Sequence, residues 1–277
     1  MRNALCLGTF DGVHTGHREV LSLPQHYRKI AVTFIKSPRG VITGYDEALM
    51  TFEEKCQAFE KLGFCEVYPL DFNQVKEISP EDFLEDLYNK FNPALISCGF
   101  NYSFGKDKKG DITLLKKFCM NKDIKLRCVE PVAFGGEIIS STYIRELLKK
   151  GEVEKANLFL FTPFSFTAKV TSGDKRGRTM GFPTANQEYP KELARLKFGV
   201  YKTVVSIDSK EYSGITNIGQ RPTYPIDFII SETFIKDFSG DIYGKNVKIT
   251  FLKFLREERK FDSLEDLKNQ IQKDILK

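Results

Sequence analysis

Histidine is scarce in this chain. There are three among 277 residues, and two of them, His14 and His17, stand three apart in one stretch. The six cysteines, at 6, 56, 65, 98, 119 and 128, form no CxxC pair and no zinc-finger spacing. That argues against a structural zinc site, and free buried thiols are expected. The pattern GxxxxGK[ST] is absent, which excludes a Walker-type loop. No segment approaches the roughly 20 apolar residues that span a bilayer. The opening MRNALCLGTFDG has too short an apolar run for a secretion signal. A soluble, cytoplasmic protein with no membrane partner is expected. A large excess of one charge sign is missing as well. The net charge is +5, with 22 basic and 22 acidic residues in 1–160 and 20 and 15 in 161–277. So small a surplus suits a phosphate-bearing small molecule better than a nucleic acid. The densest basic stretch, Lys106 to Arg127, lacks aromatic interleaving, and a solvated helix face is expected there. What the chain does have is length for two domains and 41% hydrophobic residues to build their cores.

The stretch Leu7–His17, LGTFDGVHTGH, organises the first part. An apolar run, Ala4 to Leu7, leads in. Gly8, Gly12 and Gly16 punctuate it, and a helical pattern runs from His17 to Leu23. Strand, glycine-rich turn and helix start together aim backbone N–H groups at a phosphate. Glycines alone would fit an ordinary turn. The added Phe10-Asp11 and the HxxH spacing argue against that, and the two imidazoles would supply donors for charge developing on the phosphate.

Short apolar strands then alternate with helical patterns. Strands are expected at Ile30–Phe34, Glu66–Leu70, Ala94–Cys98 and near Leu126. Thr51 opens a helix through a capping box with Glu54, its face lined by Phe52, Cys56, Phe59 and Leu62. Ser79-Pro80 opens another, and one follows near Leu114. Such alternation implies a parallel sheet covered on both faces, with ligands at the carboxyl ends of its strands. Next, Ser140, Ser141 and Thr142 precede a helix that stops at Gly151. Their hydroxyls can cap helix N–H groups or contact phosphate. Arg145 is expected on the first helical turn, where a cation opposes the dipole and points to a bound anion. A short helix, Glu152–Leu160, closes the first domain, with the boundary placed near 160.

From Phe164 onward the pattern alternates at period two, through Val200–Ile207, Phe228–Phe238 and Val247–Leu255, and implies a β-barrel or small sandwich. A final helix, Ser263–Leu276, carries Leu264, Leu267 and Ile271 on one face. Gly173, Lys175, Arg176, Gly177 and Arg178 make a basic phosphate loop. Thr184 and Asn186 offer neutral oxygens for Mg²⁺, which needs few protein ligands when phosphates complete its shell. Glu232 shares a strand face with Phe228, Ile230 and Phe234. If that is an aromatic inner face, Glu232 is a candidate general base; otherwise the face points to solvent or Glu232 pairs with an arginine. Asn217 to Thr223, with Arg221, reads as a polar turn that could cover a ligand, though ordinary turn chemistry also explains its Gly and Pro.

These stretches, taken in order over nearly the whole chain, resemble the bacterial bifunctional riboflavin kinase/FAD synthetase family. GTFDGVHTGH is similar to its nucleotidyltransferase signature, CGFNYSFGKDKKGD to its second loop and SSTYIRELLKKGEVEKA to its ISSTxIR segment. GDKRGRTMGFPTAN, NIGQRPT, SETFIKDFSGDIYGK and FLREERKFDSLEDL resemble the kinase module. The resemblance implies a Rossmann-like α/β nucleotidyltransferase domain with a parallel sheet over 1–160. It implies a small C-terminal β-barrel kinase domain with a terminal helix over 161–277. Riboflavin, FMN and ATP would be substrates, FMN and FAD products, and Mg²⁺ the cofactor. A monomer or weak homo-oligomer is expected. Glu232, His14, His17 and Arg145 would be catalytic, with Thr184 and Asn186 on the metal and Asn217 and Arg221 on flavin. Gly8, Phe10, Asp11, Gly16, Asn101, Ser141 and Thr142 would bind nucleotide, as would the Gly173–Arg178 loop. A monofunctional kinase with a weak adenylyltransferase domain is the alternative, and a non-catalytic flavin sensor a third. Two positions depart from the family. Ser37 stands where its TFxPHP segment has histidine, and Phe234 stands where a histidine often follows the glutamate.

Overall fold

β1 (Arg2–Leu7) is the central strand of a five-stranded parallel sheet. Ala4 to Leu7 are buried, which is why this strand reads as an unbroken apolar run rather than an alternation. The computed structural model describes residues 1–44, 46–171, 184–220, 228–259 and 264–275. After a short 3₁₀ turn, Asp11–Val13, the first part runs α1 (Thr15–Leu21), β2 (Tyr27–Phe34), α2 (Pro38–Thr43), α3 (Phe52–Lys61) and β3 (Glu66–Leu70). It continues with α4 (Phe72–Val75), α5 (Pro80–Phe91), β4 (Pro93–Gly99), α6 (Ile112–Asn121) and β5 (Lys125–Val129). A hairpin, β6 (Ala133–Phe134) and β7 (Glu137–Ile138), follows.

Local chemistry explains the helix starts. Thr51 accepts from Glu54 N at 3.2 Å while Glu54 Oε2 accepts from Thr51 N at 3.0 Å, closing the expected capping box. Ser79 caps α5 with Pro80 behind it, and Asp111 caps α6. Each cap is worth about 1 kcal/mol. In α6 the buried residues are Leu115 and Cys119, while Lys116 and Lys117 are exposed, so the basic stretch is a solvated face. The face of α3 differs from expectation. Lys55, Ala58 and Phe59 are buried, and Phe52, Cys56 and Leu62 only partly so. All six cysteines are free. Cys6, Cys98 and Cys119 are buried, but Cys65 and Cys128 are exposed.

The strand order is β3-β2-β1-β4-β5. The chain winds outward from β1 in one direction and then in the other. The crevice between the ends of β1 and β4 is therefore the topological switch point, where ligands bind in open α/β sheets. The Leu7–His17 stretch leaves β1 there, and Asn101 follows β4.

Contacts divide the chain into two compact units, Met1–Tyr143 and Ile144–Lys277. α7 (Ser141–Lys150) spans the division and α8 (Val153–Phe159) lies wholly beyond it. The expected boundary near 160 falls later than this division. Asn157 of α8 explains why: its Nδ2 donates to Phe251 O at 2.8 Å, and its Oδ1 accepts from Phe164 N at 2.9 Å. Lys197 N donates to Leu148 O of α7 at 3.1 Å.

The second unit holds a closed barrel of β8 (Ser165–Thr171), β9 (Thr184–Glu188), β10 (Gly199–Ile207), β11 (Lys210–Gln220), β12 (Ile229–Ile235) and β13 (Asn246–Arg256). Closure resolves the choice between barrel and sandwich, and it removes the exposed sheet edges. α9 (Leu264–Ile275) ends the described chain, with Gln270 and Asp274 buried. The side chains of Leu264, Leu267 and Ile271 lie outside the described residues.

Candidate active sites

The first site forms where β1 ends. His14 caps α1 with extended backbone and His17 lies in its first turn. Their rings stack with centroids 3.6 Å apart and planes 24° apart. The turn before them needs unusual backbone. Phe10, Gly12 and Val13 all have positive φ, at 49°, 79° and 41°. A Cβ on Gly8 would meet the Phe10 ring at 2.9 Å, so only glycine lets that ring lie back over the strand end. Phe10 is buried, edge-on to both His17 and Phe59. Its ring is enclosed in the core and supports His17 from the edge.

Other expected residues join this turn. Asp11 is buried. Its Oδ1 accepts from Leu49 N at 2.8 Å, and its carbonyl accepts from Ser141 Oγ at 3.0 Å. Ser140 Oγ accepts from Tyr143 N at the start of α7, with Thr142 between them. Gly16 packs beside the His14 ring. Arg145 is the fifth residue of α7, past the first turn where it was expected, and the dipole argument for it weakens accordingly. Two further residues were not foreseen. Arg18, next to His17, donates to Thr15 Oγ1 at 3.1 Å, and its Nε is buried with no hydrogen bond. Lys55 donates to Thr9 O at 2.9 Å and to Phe34 O at 3.0 Å. The spacing 55, 58, 59 places Lys55 on the buried stripe of α3, a pattern legible in the sequence.

Ser37 has a structural job. Its Oγ accepts from Gly40 N at 3.0 Å, capping α2, and donates to Asp46 Oδ1 at 2.8 Å. A cavity of about 30 Å³, lined by Thr9, Asp11, Phe34, Ser37, Asp46 and Lys55 among others, lies beside it. That is room for about one water.

Burial holds the pKa of His17 well below its usual range, and the neighbouring charges of His14 and Lys55 push the same way. The folded protein therefore takes up this proton less readily than the unfolded chain. Stability from this group is complete above the unfolded value of 6.5 and is lost as pH falls below it. We expect the melting temperature of the first unit to drop from about pH 6.5 to about pH 5, and His17→Gln to flatten that slope. Calorimetry across this range checks it. An unchanged slope in His17→Gln would refute the assignment.

The second site lies on the barrel. Asn217 of β11 pairs with Glu232 of β12, and Glu232 pairs with Asn186 of β9. Directly paired antiparallel residues point to the same face, so the three form one polar row. Thr184, two residues before Asn186 and half-buried, shares that face. Asn217 Nδ2 donates to Glu258 Oε1 at 2.8 Å, and its Oδ1 is buried without a hydrogen bond. Glu258 was not foreseen here.

The inner-face reading of Glu232 is corrected. Ile229, Ser231, Thr233 and Ile235 are the buried residues of β12, while Ile230, Glu232 and Phe234 are half-buried on the outside. The reason is a chain of hydroxyls inside the barrel. Thr203 and Thr216 Oγ1 lie 2.8 Å apart, and Thr216 and Thr233 Oγ1 lie 2.9 Å apart. With their hydrogen bonds met internally, polar side chains occupy the core face. Asn217 to Gln220 also proves to be strand rather than turn. Gly173, Lys175, Arg176, Gly177, Arg178 and Arg221 lie outside the described residues.

A model of the FAD synthetase family matches residues 1–143, and a riboflavin kinase family model matches residues 160–277. The Bacillus subtilis bifunctional riboflavin kinase/FMN adenylyltransferase is 34% identical over 290 residues, covering 99% of this chain and 90% of the relative. The Listeria monocytogenes protein of the same description is 33% identical over 285 residues, with the same coverage. A solved Streptococcus pneumoniae structure described as a macrolide-efflux protein aligns with TM-score 0.89 and 30% identity, covering 99% of this chain and 92% of that one. Among the described residues of this chain, no helix is long and apolar enough to cross a membrane. Two family models in tandem, and relatives matched along almost their full length, lead to one conclusion: the chain belongs to the bifunctional riboflavin kinase/FMN adenylyltransferase family.

Proposed function

We propose that this protein makes FMN from riboflavin and ATP, and FAD from FMN and a second ATP. Phosphoryl transfer is assigned to 161–277 and adenylyl transfer to 1–160. One observation carries the two-site reading. The stacked imidazoles belong to the unit Met1–Tyr143, and the carboxylate–amide row belongs to the unit Ile144–Lys277.

In the barrel, Glu232 accepts the proton of the riboflavin 5′-hydroxyl as that oxygen attacks the γ-phosphorus of ATP. Phosphoryl transfer asks chiefly for positioning and charge stabilisation. Thr184 and Asn186 would hold Mg²⁺, which would supply positive charge to offset that of the phosphates. These two side chains fit a hard cation, being neutral oxygen donors on one strand face beside a carboxylate. Asn217 and Arg221 are assigned to flavin, and the basic residues Lys175, Arg176 and Arg178 to the ATP phosphates. In the first domain, a phosphate oxygen of FMN attacks the α-phosphorus of ATP and pyrophosphate leaves. His14 and His17 donate hydrogen bonds to the phosphate oxygens as charge builds, with Ser141, Thr142, Arg145 and Asn101 assisting. A neutral His17 still carries one N–H donor.

Incubation with riboflavin, ATP and Mg²⁺, followed by chromatography, should show FMN and then FAD. No flavin nucleotide at all would refute the reading. FMN without FAD, even with FMN supplied, would leave only the kinase.

A further inference from the structure

Lys55 is a buried cation that the functional reading above does not use. It is 6% exposed. Enclosing an ammonium costs several kcal/mol unless its donors are met, and here they are. Nζ donates to Thr9 O at 2.9 Å, to Phe34 O at 3.0 Å and, more weakly, to Thr33 Oγ1 at 3.4 Å. The acceptors are informative. Thr9 opens the turn that leaves β1, and Phe34 ends β2, the neighbouring strand. Thr33 Oγ1 donates to the same Thr9 carbonyl at 2.9 Å. One ammonium and one hydroxyl thus fasten the first residue of the phosphate turn to the adjoining strand end.

That turn needs fastening. Positive φ at Phe10 and Val13 is strained and persists only where surroundings over-determine it. Phe10 in turn sets the edge against which His17 packs, at 5.4 Å between centroids. A methionine stem would fill the same space as Lys55 without supplying donors. We propose that Lys55, with Thr33, is a positioning residue for adenylyl transfer, holding Thr9 so that the Phe10–His17 pair keeps its place. This rests on the assignment of adenylyl transfer to the first domain.

The test measures FAD formation from supplied FMN, ATP and Mg²⁺ in Lys55→Met and Thr33→Val, with melting followed in parallel. A displaced imidazole impairs the transition state more than substrate binding. For Lys55→Met, kcat should fall about 10- to 100-fold with KM for ATP and FMN nearly unchanged. Thr33→Val should show a smaller loss of the same kind. FMN formation from riboflavin should stay at the wild-type rate in both. If Lys55→Met no longer melts cooperatively, Thr33→Val decides. Wild-type kcat in the folded variants would overturn the proposal, as would a raised KM with kcat intact. A wild-type protein that makes no FAD would instead refute the functional assignment.

Discussion

Glu232→Gln should cut FMN formation by orders of magnitude while leaving supplied FMN fully convertible to FAD. The substitution keeps the size and hydrogen-bonding shape of the side chain and removes its ability to take a proton. Glu232 sits in register between Asn217 and Asn186, so glutamine can occupy the row without disturbing the barrel. A general base contributes about 10²- to 10⁴-fold to the rate, and a loss of that size is expected in kcat for riboflavin phosphorylation. KM for riboflavin should change little, because a base acts as the transition state forms. The half-buried outer position of Glu232 fits this role better than an enclosed one. A carboxylate there can meet substrate and release its proton without being sealed in an apolar core. Steady-state assay of each half-reaction checks the prediction. Wild-type FMN formation in the variant would remove Glu232 from the chemistry.

His17→Ala should do the reverse. FAD formation is expected to fall by about 10²- to 10³-fold, the usual cost of losing one preorganised donor to a developing charge. The ring also stacks on His14 and meets the edge of Phe10, so its removal frees both neighbours and adds to the loss. FMN formation should continue, since it is assigned to the other compact unit. The two variants form a crossed pair, each sparing what the other removes. If either one abolished both activities in a folded protein, the assignment of one reaction to each domain would be wrong.

The resemblance to the family left Ser37 as an open question, because a histidine is usual there. In the structure the hydroxyl caps α2 and binds Asp46. Gly40 supports this arrangement, since a Cβ there would meet Asp46 at 2.5 Å. The position is thus committed to shaping the segment after β2. Both family models and the relatives support the two activities together, and none favours a kinase alone.

Much of the architecture was legible in the chain because it depends on local rules. The capping box at Thr51, proline after Ser79 and the apolar run of β1 each name an element and nearly its bounds. The residues of the two proposed sites also stood out in the chain, as rare imidazoles after a strand and as Thr184, Asn186 and Glu232 among apolar and glycine-rich runs. What only tertiary structure decided depends on partners far apart in sequence. Lys55 became a tether because Thr9, Thr33 and Phe34 surround it, 21 or more positions away. Phe10 became a support because Phe59 and His17 enclose it. Glu232 faces outward because Thr203, Thr216 and Thr233 satisfy one another inside the barrel, which polarity along one strand cannot reveal. The amino-acid sequence alone determined which residue types the chemistry needs and roughly where they fall. The fold decided which of them touch, because hydrogen bonds and packing are met between strands rather than along them.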